Sequence, residues 1–194
     1  MYEYIEGKLT ALHPDHAVVE TSGIGYFIHI TLNTYSAING LPQCRLLLHF
    51  VVREDAQLLF GFDTAEERQL FRLLIAVSGI GANTARLVLS SMSPGEFIAA
   101  ITHEDVNGLN KIKGIGTKSA QRMIVELKDK VAKIGIASEN MVPSHNTSQN
   151  EALSALTALG FSKAVAEKAI QRIINTTGER ATVEIIVKEA LKIL

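Results

Sequence analysis

The chain contains 194 residues, 47% of them hydrophobic and 20% charged, with a formal net charge of −1 at pH 7. This composition excludes the disordered and fibrous classes and leaves a globular protein with enough apolar residues for a buried core. No apolar run approaches the roughly 20 residues of a membrane span, and the polar first residues do not resemble a signal peptide. We therefore expect a cytoplasmic protein without a membrane partner, in which the single cysteine, Cys44, is a reduced and buried thiol.

Residues 1–62 alternate between apolar-rich segments and turn signals, which predicts a small all-β domain. A short helix is predicted at Thr34–Ile38, with Asn33 as its N-cap. The predicted strands are Tyr2–Leu12, Ala17–Thr21, Gly25–Leu32, Arg45–Val52 and Gln57–Phe62. Five strands and one short helix indicate a closed barrel of the OB type. Because the sequence shows no comb of basic and aromatic residues along these strands, we interpret the barrel as a scaffold.

The loop before the last predicted strand, Arg53-Glu-Asp-Ala56, carries two adjacent acids. Taken alone, Glu54 and Asp55 are most simply the solvated turn of a hairpin. They do not predict a metal site, because adjacent side chains diverge on a strand and further ligands are absent nearby in the sequence. The six histidines show no metal-ligand spacing either, so we expect no metal and no cofactor.

From Thr64 onward the apolar period becomes helical. Thr64-x-x-Glu67 and Ser93-Pro-Gly-Glu96 have the pattern of capping boxes, the second with proline at the first helical position. A long helix is predicted from Thr117 to about residue 133. Its apolar stripe consists of Ala120, Met123, Ile124 and Leu127.

Two stretches of this helical region repeat one motif, in which Gly-Ile-Gly is followed by three residues and an alanine. The copies are Gly79-Ile80-Gly81 with Ala85 and Gly114-Ile115-Gly116 with Ala120, 35 residues apart. Glycine permits a sharp turn between two helices, and the small alanine lets the second helix pack near the first. The unpaired amides that begin the second helix, together with the positive end of its dipole, predict a binding site for one phosphate. This is the pattern of a helix-hairpin-helix, which binds DNA by its backbone.

The distribution of charge agrees with this hypothesis, although the net charge of the chain does not. Residues 1–63 carry 3 basic and 7 acidic side chains, residues 64–135 carry 10 and 7, and residues 136–194 carry 6 and 6. Residues 111–133 alone carry 7 basic and 2 acidic side chains. Positive charge is thus concentrated on the second copy of the motif, where a phosphate ligand requires it.

The last part of the chain is predicted to be a separate small module. Residues 136–149 lose all periodicity and are rich in small polar residues, which predicts a flexible linker. Three short helices follow at Glu151–Leu159, Lys163–Asn175 and Ala181–Leu194 and resemble a ubiquitin-associated fold. A module of this size is only marginally stable, so we expect it to bind a partner. The predicted domains are 1–63, 64–135 and 150–194, in an α+β multidomain chain.

Other functions fit the sequence less well, and we expect no enzyme activity from this chain alone. The segment Gly114–Ser119 lacks the glycine directly before Lys-Ser that a nucleotide-binding P-loop needs. A base-excision glycosylase would need a carboxylate in a pocket beside the hairpin, whereas Glu126 and Asp129 lie in a lysine-flanked helix. A purely protein-binding adaptor is a further alternative, which the duplicated phosphate-binding motif disfavours.

In the order barrel, acidic turn, duplicated hairpin, linker and terminal helices, the chain resembles the RuvA family over its whole length, most specifically in Phe50–Phe62. The members of this family bind Holliday junctions as a subunit of the bacterial branch-migration complex. The resemblance implies a homotetramer with four-fold symmetry, with either one tetramer or two face to face on the DNA. It also implies three partners: four-way junction DNA, the ATPase RuvB and, as a further candidate, the resolvase RuvC.

The resemblance also assigns roles to residues. Glu54 and Asp55 match the acidic pin of the family, whose negative charge would keep strands apart near the four-fold axis. The phosphate-binding positions are Gly79, Ile80, Gly81, Gly114, Ile115 and Gly116, with Lys118 and Arg122 as supporting cations. Asn83 stands where the family often has lysine, so a side-chain contact with DNA is open at that position. In the last module Leu156, Leu159 and Leu191 match apolar positions that contact RuvB. The alternative, that these leucines are the core of a three-helix bundle, stays open.

Overall fold

The structure is a computed structural model that describes residues 2–139, 147–177 and 181–194. The chain separates into two compact units, Met1–Glu139 and Asn140–Leu194. The first unit contains both the β-barrel and the duplicated hairpins. The division of this unit into domains at residue 63 stays a prediction.

The N-terminal strands form a closed five-stranded barrel, as the alternating pattern predicted. The strands are β1 (Tyr4–His13), β2 (His16–Thr21), β3 (Ile24–Ile30), β4 (Gln43–Val52) and β5 (Gln57–Phe62). Their order around the barrel is β1-β2-β3-β5-β4, antiparallel except for the pairing of β3 with β5. The inward positions carry large apolar side chains, among them Ile28, Ile30 and Leu46, which are 0–1% exposed. Gly7 is required on β1 because a Cβ there would overlap the carbonyl oxygen of Glu20.

Helices surround one shared core beside the barrel. Helix α1 (Leu32–Ile38) connects β3 to β4, and after the barrel come α2 (Ala65–Ile75), α3 (Ala82–Ser91), α4 (Pro94–Thr102), α5 (Val106–Asn110) and α6 (Thr117–Glu139). The ring of Phe71 on α2 lies 5.0 Å from that of Phe60 and 4.9 Å from that of Phe62, between ring centroids. All three rings are at most 1% exposed, so the outer wall of β5 is part of the helical core.

The second unit consists of α7 (Thr147–Ala158), α8 (Lys163–Thr177) and α9 (Val183–Ile193). Ala152, Leu156, Ala166 and Ala190 are fully buried between these helices. Gly160, with φ of +99°, ends α7 in the left-handed conformation that glycine favours. The predicted fold class, a barrel followed by duplicated hairpins and a three-helix module, is confirmed.

The predicted linker at 136–149 is wrong at both ends, because α6 continues to Glu139 and α7 already begins at Thr147. Residues 140–146 lie outside the described residues. The loss of apolar periodicity predicted a linker, but Val131 and Ile134 just before it pack on the core at 0% and 5% exposure. A helix anchored in this way extends by further turns at little cost.

The predicted cap of α1 is also wrong. Thr31 is the N-cap, and its hydroxyl accepts a hydrogen bond from the backbone N–H of Thr34. The amide of Asn33 instead donates to the carbonyl oxygens of Leu89 and Met92, at 2.6 and 3.1 Å. Asn33 therefore satisfies the exposed end of α3, and it joins the barrel to the first hairpin.

Glu67 has a different role from the one its spacing predicted. The hydroxyl of Thr64 accepts from the Glu67 backbone N–H, but the Glu67 side chain turns inward and is 2% exposed. Its carboxylate accepts hydrogen bonds from the hydroxyls of Thr31 and Thr34, at 2.6 and 2.7 Å. Only the box at Ser93 and Glu96 is complete. Glu67 thus links α2 to α1 across the seam between the barrel and the helices.

Within residues 2–139, 147–177 and 181–194, none of the helices combines the length and the apolar character that crossing a bilayer requires. In the same ranges, the His, Cys, Asp and Glu side chains form no group of three or more that could hold a metal ion.

The buried carboxyl of Glu67, between the barrel and the helices, predicts a pH dependence of the free energy of unfolding. Burial raises the pKa of the Glu67 carboxyl, and the hydrogen bonds from Thr31 and Thr34 oppose this only in part. Below about pH 4.3 the carboxyl is protonated in both the folded and the unfolded chain. As pH rises toward the raised folded pKa, the unfolded chain ionises more readily, so the contribution of Glu67 to stability is lost.

We therefore expect the stability of Glu67→Gln relative to wild type to increase progressively as pH rises from about 4.5 to neutral. Urea unfolding of both proteins across this range measures the difference in the free energy of unfolding. The neighbouring, less buried Glu66→Gln is the control and should show no such trend. A wild-type to Glu67→Gln difference that stays constant with pH would contradict this role.

Candidate nucleic-acid interface

The first hairpin lies between α2 and α3 and is built around Gly79. This glycine has φ of +87°, in the left-handed region, so the chain reverses within a few residues. The backbone N–H of Ile80 donates to the carbonyl oxygen of Val77 at 3.0 Å and closes the turn. Val77 and Ile80 are 2% and 5% exposed. The apolar side of the turn therefore faces the core, and its backbone side faces solvent.

The second hairpin, between α5 and α6, repeats this geometry residue by residue. Gly114 also has φ of +87°, and the N–H of Ile115 donates to the carbonyl oxygen of Ile112 at 3.0 Å. Ile112 and Ile115 are 5% and 4% exposed. The alanine of each motif, predicted to permit close packing, is fully buried in both copies. The duplication read in the sequence is thus a duplication of structure.

Each hairpin ends at a helix whose first amides are available to a ligand. Gly81 is the N-cap of α3, and its carbonyl oxygen accepts the first helical hydrogen bond, from Ala85, at 2.9 Å. Gly116 accepts in the same way from Ala120 at 2.9 Å. A glycine N-cap has no side chain that could bond the orphan amides. Helices α2 and α4, in contrast, are capped by side-chain hydroxyls and carry glutamates in their first turns.

The two glycines of each motif serve different purposes. Gly79 and Gly114 are needed for their positive φ, whereas Gly81 has φ of −82°, which any residue adopts. A Cβ built on Gly81 or on Gly116 meets no atom within 4 Å among the described residues. Neither a left-handed φ nor close packing within the described chain therefore requires glycine at these two positions, although glycine is a better N-cap than alanine. The space above each helix start is open to a ligand.

The two predicted cations, Lys118 and Arg122, lie in different surroundings. Lys118 is exposed in the first turn of α6. Arg122, one turn further, reaches across to the other hairpin, where its Nη1 donates to the carbonyl oxygen of Ser78 at 3.0 Å. It therefore connects the two hairpins and places a positive charge beside Gly79. Asn83 is exposed on α3, one turn before Arg86.

The acidic residues lie at the tip of the β4–β5 hairpin, outside both helical hairpins. Val52 pairs with Gln57, and the backbone N–H of Arg53 donates to the carbonyl oxygen of Ala56 at 2.8 Å. This tight turn leaves both Glu54 and Asp55 exposed. Two negative charges are thus held on a rigid ribbon at one end of the barrel.

The three leucines of the second unit do not share one environment. Leu156 is fully buried in the three-helix core, so its side chain has no surface with which to contact a partner. For this residue the structure favours the core interpretation. Leu159 and Leu191 are 60% and 46% exposed. They remain candidates for a docking surface, together with exposed Ile185 and Ile193.

The sequence analysis missed a set of polar contacts that hold α3 against the barrel. Arg86 Nη1 donates to the carbonyl oxygen of Asp15 at 2.6 Å, and the Leu32 N–H donates to Ser90 Oγ at 3.1 Å. Burial and the nearby Arg86 guanidinium lower the pKa of His29. The hydrogen bond from His16 lowers the pKa of Asp15. No local sequence pattern predicts the two hydrogen bonds of Arg86 and Leu32, because their partners lie 71 and 58 positions away.

Three family models match successive parts of the chain. Residues 1–61 match the model of the RuvA N terminal domain, residues 71–129 match the SAM-like helix-hairpin-helix tandem, and residues 147–194 match the RuvA C-terminal domain.

Several curated relatives are similar over their full length, each named Holliday junction branch migration complex subunit RuvA. Those of Bacteroides fragilis and Bacteroides thetaiotaomicron are each 46% identical over 200 aligned residues, and that of Flavobacterium psychrophilum is 44% identical over 192. In all three cases the match covers 99% of this chain and 99% of the relative.

The first and the second glycine of each motif should differ in how strongly an alanine substitution changes the free energy of unfolding. Gly79→Ala and Gly114→Ala force a Cβ into the left-handed region, so we expect each to lower the free energy of unfolding by about 1–2 kcal/mol. Gly81→Ala and Gly116→Ala carry no such strain, and we expect each to lower it by only about 0.5 kcal/mol, because alanine is a poorer N-cap than glycine. Urea unfolding of the four variants measures this. Equal losses at all four positions would contradict the assignment.

Proposed function

The chain belongs to the RuvA family, and from this premise we propose that it binds four-way DNA junctions by their shape and phosphate pattern, as the DNA-binding subunit of a branch-migration complex. The observation that carries the proposal is the repeated hairpin. Two helix starts with the same turn geometry, no capping side chain on the glycine and open space above it would provide two phosphate sites within one compact unit.

Phosphate binding at these sites would follow from the direction of the amides. The first N–H groups of α3 and α6 point out of the helices along the positive ends of their dipoles. Lys118 and Arg122 add positive charge at the second helix and between the hairpins. Such contacts bind any DNA sequence, because phosphates carry no sequence information. Selectivity for a junction must therefore come from how the sites are arranged.

The acidic pin would supply part of that arrangement. In a four-fold tetramer, four copies of Glu54 and Asp55 would lie near the axis where the DNA arms exchange strands. Negative charge there repels phosphates and would hold the junction open and square-planar. The same charges would disfavour a continuous duplex laid across the centre.

The motor function would lie in a second protein. The phosphate sites described above suit a DNA-holding role, so ATP hydrolysis and duplex movement are assigned to RuvB. The exposed Leu159 and Leu191 of the C-terminal unit would contribute to its docking surface. The resolvase RuvC is a further candidate partner on a junction held in this way.

Substitution at the open glycines tests phosphate binding directly. A methyl group on Gly81 or Gly116 would occupy the space in front of the amides without straining the backbone. We expect Gly81→Ala and Gly116→Ala each to lower affinity for a four-way junction by about 10-fold, the loss of one charge-assisted contact. Fluorescence anisotropy with a labelled junction at several salt concentrations measures it.

Gly95→Ala on α4 is the matched control, because a Cβ there is equally free of close neighbours in the described part of the chain. This control should bind as wild type does. Wild-type affinity in Gly81→Ala and Gly116→Ala would remove the hairpins from the interface. Affinity that does not fall with salt would argue against phosphate contacts altogether.

Charge reversal at the pin tests how the junction is opened. We expect the double variant with Glu54→Lys and Asp55→Lys to retain junction binding, since it adds positive charge, but to change the arm geometry and the rate of branch migration. Resonance energy transfer between labelled arm ends and migration assays with RuvB measure the two effects.

The matched control is the double variant with Glu6→Lys and Glu20→Lys, two exposed acids on barrel strands that give the same change in net charge. It should leave arm geometry unchanged. If the pin variant migrates junctions at the wild-type rate with wild-type arm distances, the pin has no role in opening.

A further inference from the structure

A column of aromatic rings lies on the outer face of the barrel, apart from the acidic pin. The rings of His13 and His16 stack with centroids 4.6 Å apart and planes 21° from parallel. His16 stacks in turn on Phe27, at 4.4 Å and 20°. Phe27 meets His29 edge-on at 5.2 Å. We call His13, His16 and Phe27 the ring column.

Strand register produces the column. His13 pairs with His16 across β1 and β2, and His16 pairs with His29 across β2 and β3. Phe27 lies two residues before His29, so its side chain projects from the same face of β3. The side chains of the neighbouring Ile28 and Ile30 point into the barrel and are buried. The rings therefore form one row across three strands on the outside of the barrel.

The outer end of this row is open to solvent. Phe27 is 52% exposed although it is fully apolar, and His13 is exposed as well. The hydrogen bond between His16 Nδ1 and Asp15 Oδ1, at 2.8 Å, holds the middle ring in place. Flat, parallel, partly open rings are the surface on which nucleic-acid bases stack, and OB barrels often present such rings on their strands.

The row is continuous with the first hairpin. Asp15 follows the column in the β1–β2 turn, and its carbonyl oxygen accepts from Arg86 of α3. Arg86 Nη1 also lies 3.5 Å from His29 Nδ1. A groove of about 360 Å³ between this turn and α3 is lined by Asp15, Arg86 and Asn83. Asn83 follows Gly81 by two residues, so the groove runs from the β1–β2 turn, between His13 and His16, to the N-terminal end of α3.

We propose that the ring column is a stacking platform for one unpaired base of a DNA strand whose backbone is bound at the first hairpin. The strand is the one expected from the function proposed above, since base pairs open where junction arms exchange. A paired base cannot use the column, because its faces are covered by its neighbours in the duplex. The groove contains both the Arg86 guanidinium and Asp15, whose carboxylate is bonded to His16. The guanidinium is the group that a nucleotide phosphate would contact, and an apolar protein partner would not require it.

Phe27→Leu tests the platform, because it removes the ring and keeps an apolar side chain at a surface position. The probes are a single-stranded oligonucleotide and a four-way junction, each with one 2-aminopurine, placed beside the crossover in the junction. Stacking quenches the fluorescence of this base. We expect wild type to quench both probes, and Phe27→Leu to lose the quenching and bind the single strand about 5-fold more weakly. Affinity for duplex DNA should not change.

Tyr4→Leu is the matched control: Tyr4 is an exposed barrel aromatic outside the column, with Arg45 over its ring at 4.0 Å. It should quench as wild type does. Undiminished quenching by Phe27→Leu would overturn the platform, and so would a change in oligomeric mass in sedimentation, which would assign this face to contacts between copies of the chain.

The same experiments distinguish failure of the stacking platform from failure of the proposed junction binding. If wild type does not prefer a junction to duplex DNA but Phe27→Leu still weakens single-strand stacking, the junction function fails and the platform stands. If the preference for junctions is intact and Phe27→Leu has no effect on either probe, only the platform fails.

Discussion

Two buried isoleucines fix the orientation of both hairpins relative to the helical core. Ile80 and Ile115 each insert into the helical core directly after a left-handed glycine, at 5% and 4% exposure. Because the apolar side of each turn is fixed inward, the backbone amides that follow have to face outward. In the proposed function, a helix start anchored in this way would adjust little to a ligand, so the two phosphate sites would keep a fixed separation. Recognition of shape, unlike recognition of a single phosphate, depends on such a fixed separation.

Several contacts fix the barrel to the helices that carry the hairpins. Phe60 and Phe62 of β5 share the core with Phe71, and Glu67 joins α2 to α1 through two threonine hydroxyls. Asn33 and Arg86 fasten α3 to the barrel on the other side. The β4–β5 ribbon that carries the acidic pin belongs to the same sheet. In the proposed function, the barrel is therefore the part that sets where the pin stands relative to the phosphate sites.

The sequence predicted those features that depend on short stretches of chain. The glycine pairs, the alanines behind them and the box at Ser93 are local patterns, and each is found as expected. Residues whose roles depend on distant partners were not predicted. Glu67 has the spacing of a cap, but two threonines more than 30 positions away draw it into the core. The ring column was missed because His13, His16 and Phe27 meet only through strand register, which composition does not reveal.

The end of α6 illustrates a different limit. Small polar residues after position 135 suggested a linker, whereas packing of Val131 and Ile134 carries the helix to Glu139. Among the candidate site residues, the sequence could name the backbone positions but not distinguish their purposes. Only the φ angles separate Gly79 and Gly114, which shape the turns, from Gly81, which leaves space above the amides.

In the proposed function, the chain recognises a junction by the arrangement of its phosphates. The first measurement to make compares its affinity for a four-way junction with that for linear duplex of equal length, at physiological salt. We expect a dissociation constant for the junction at least about 100-fold lower than for the duplex. Equal, weak binding to both would contradict it and would leave a pair of hairpins that bind any DNA backbone alike.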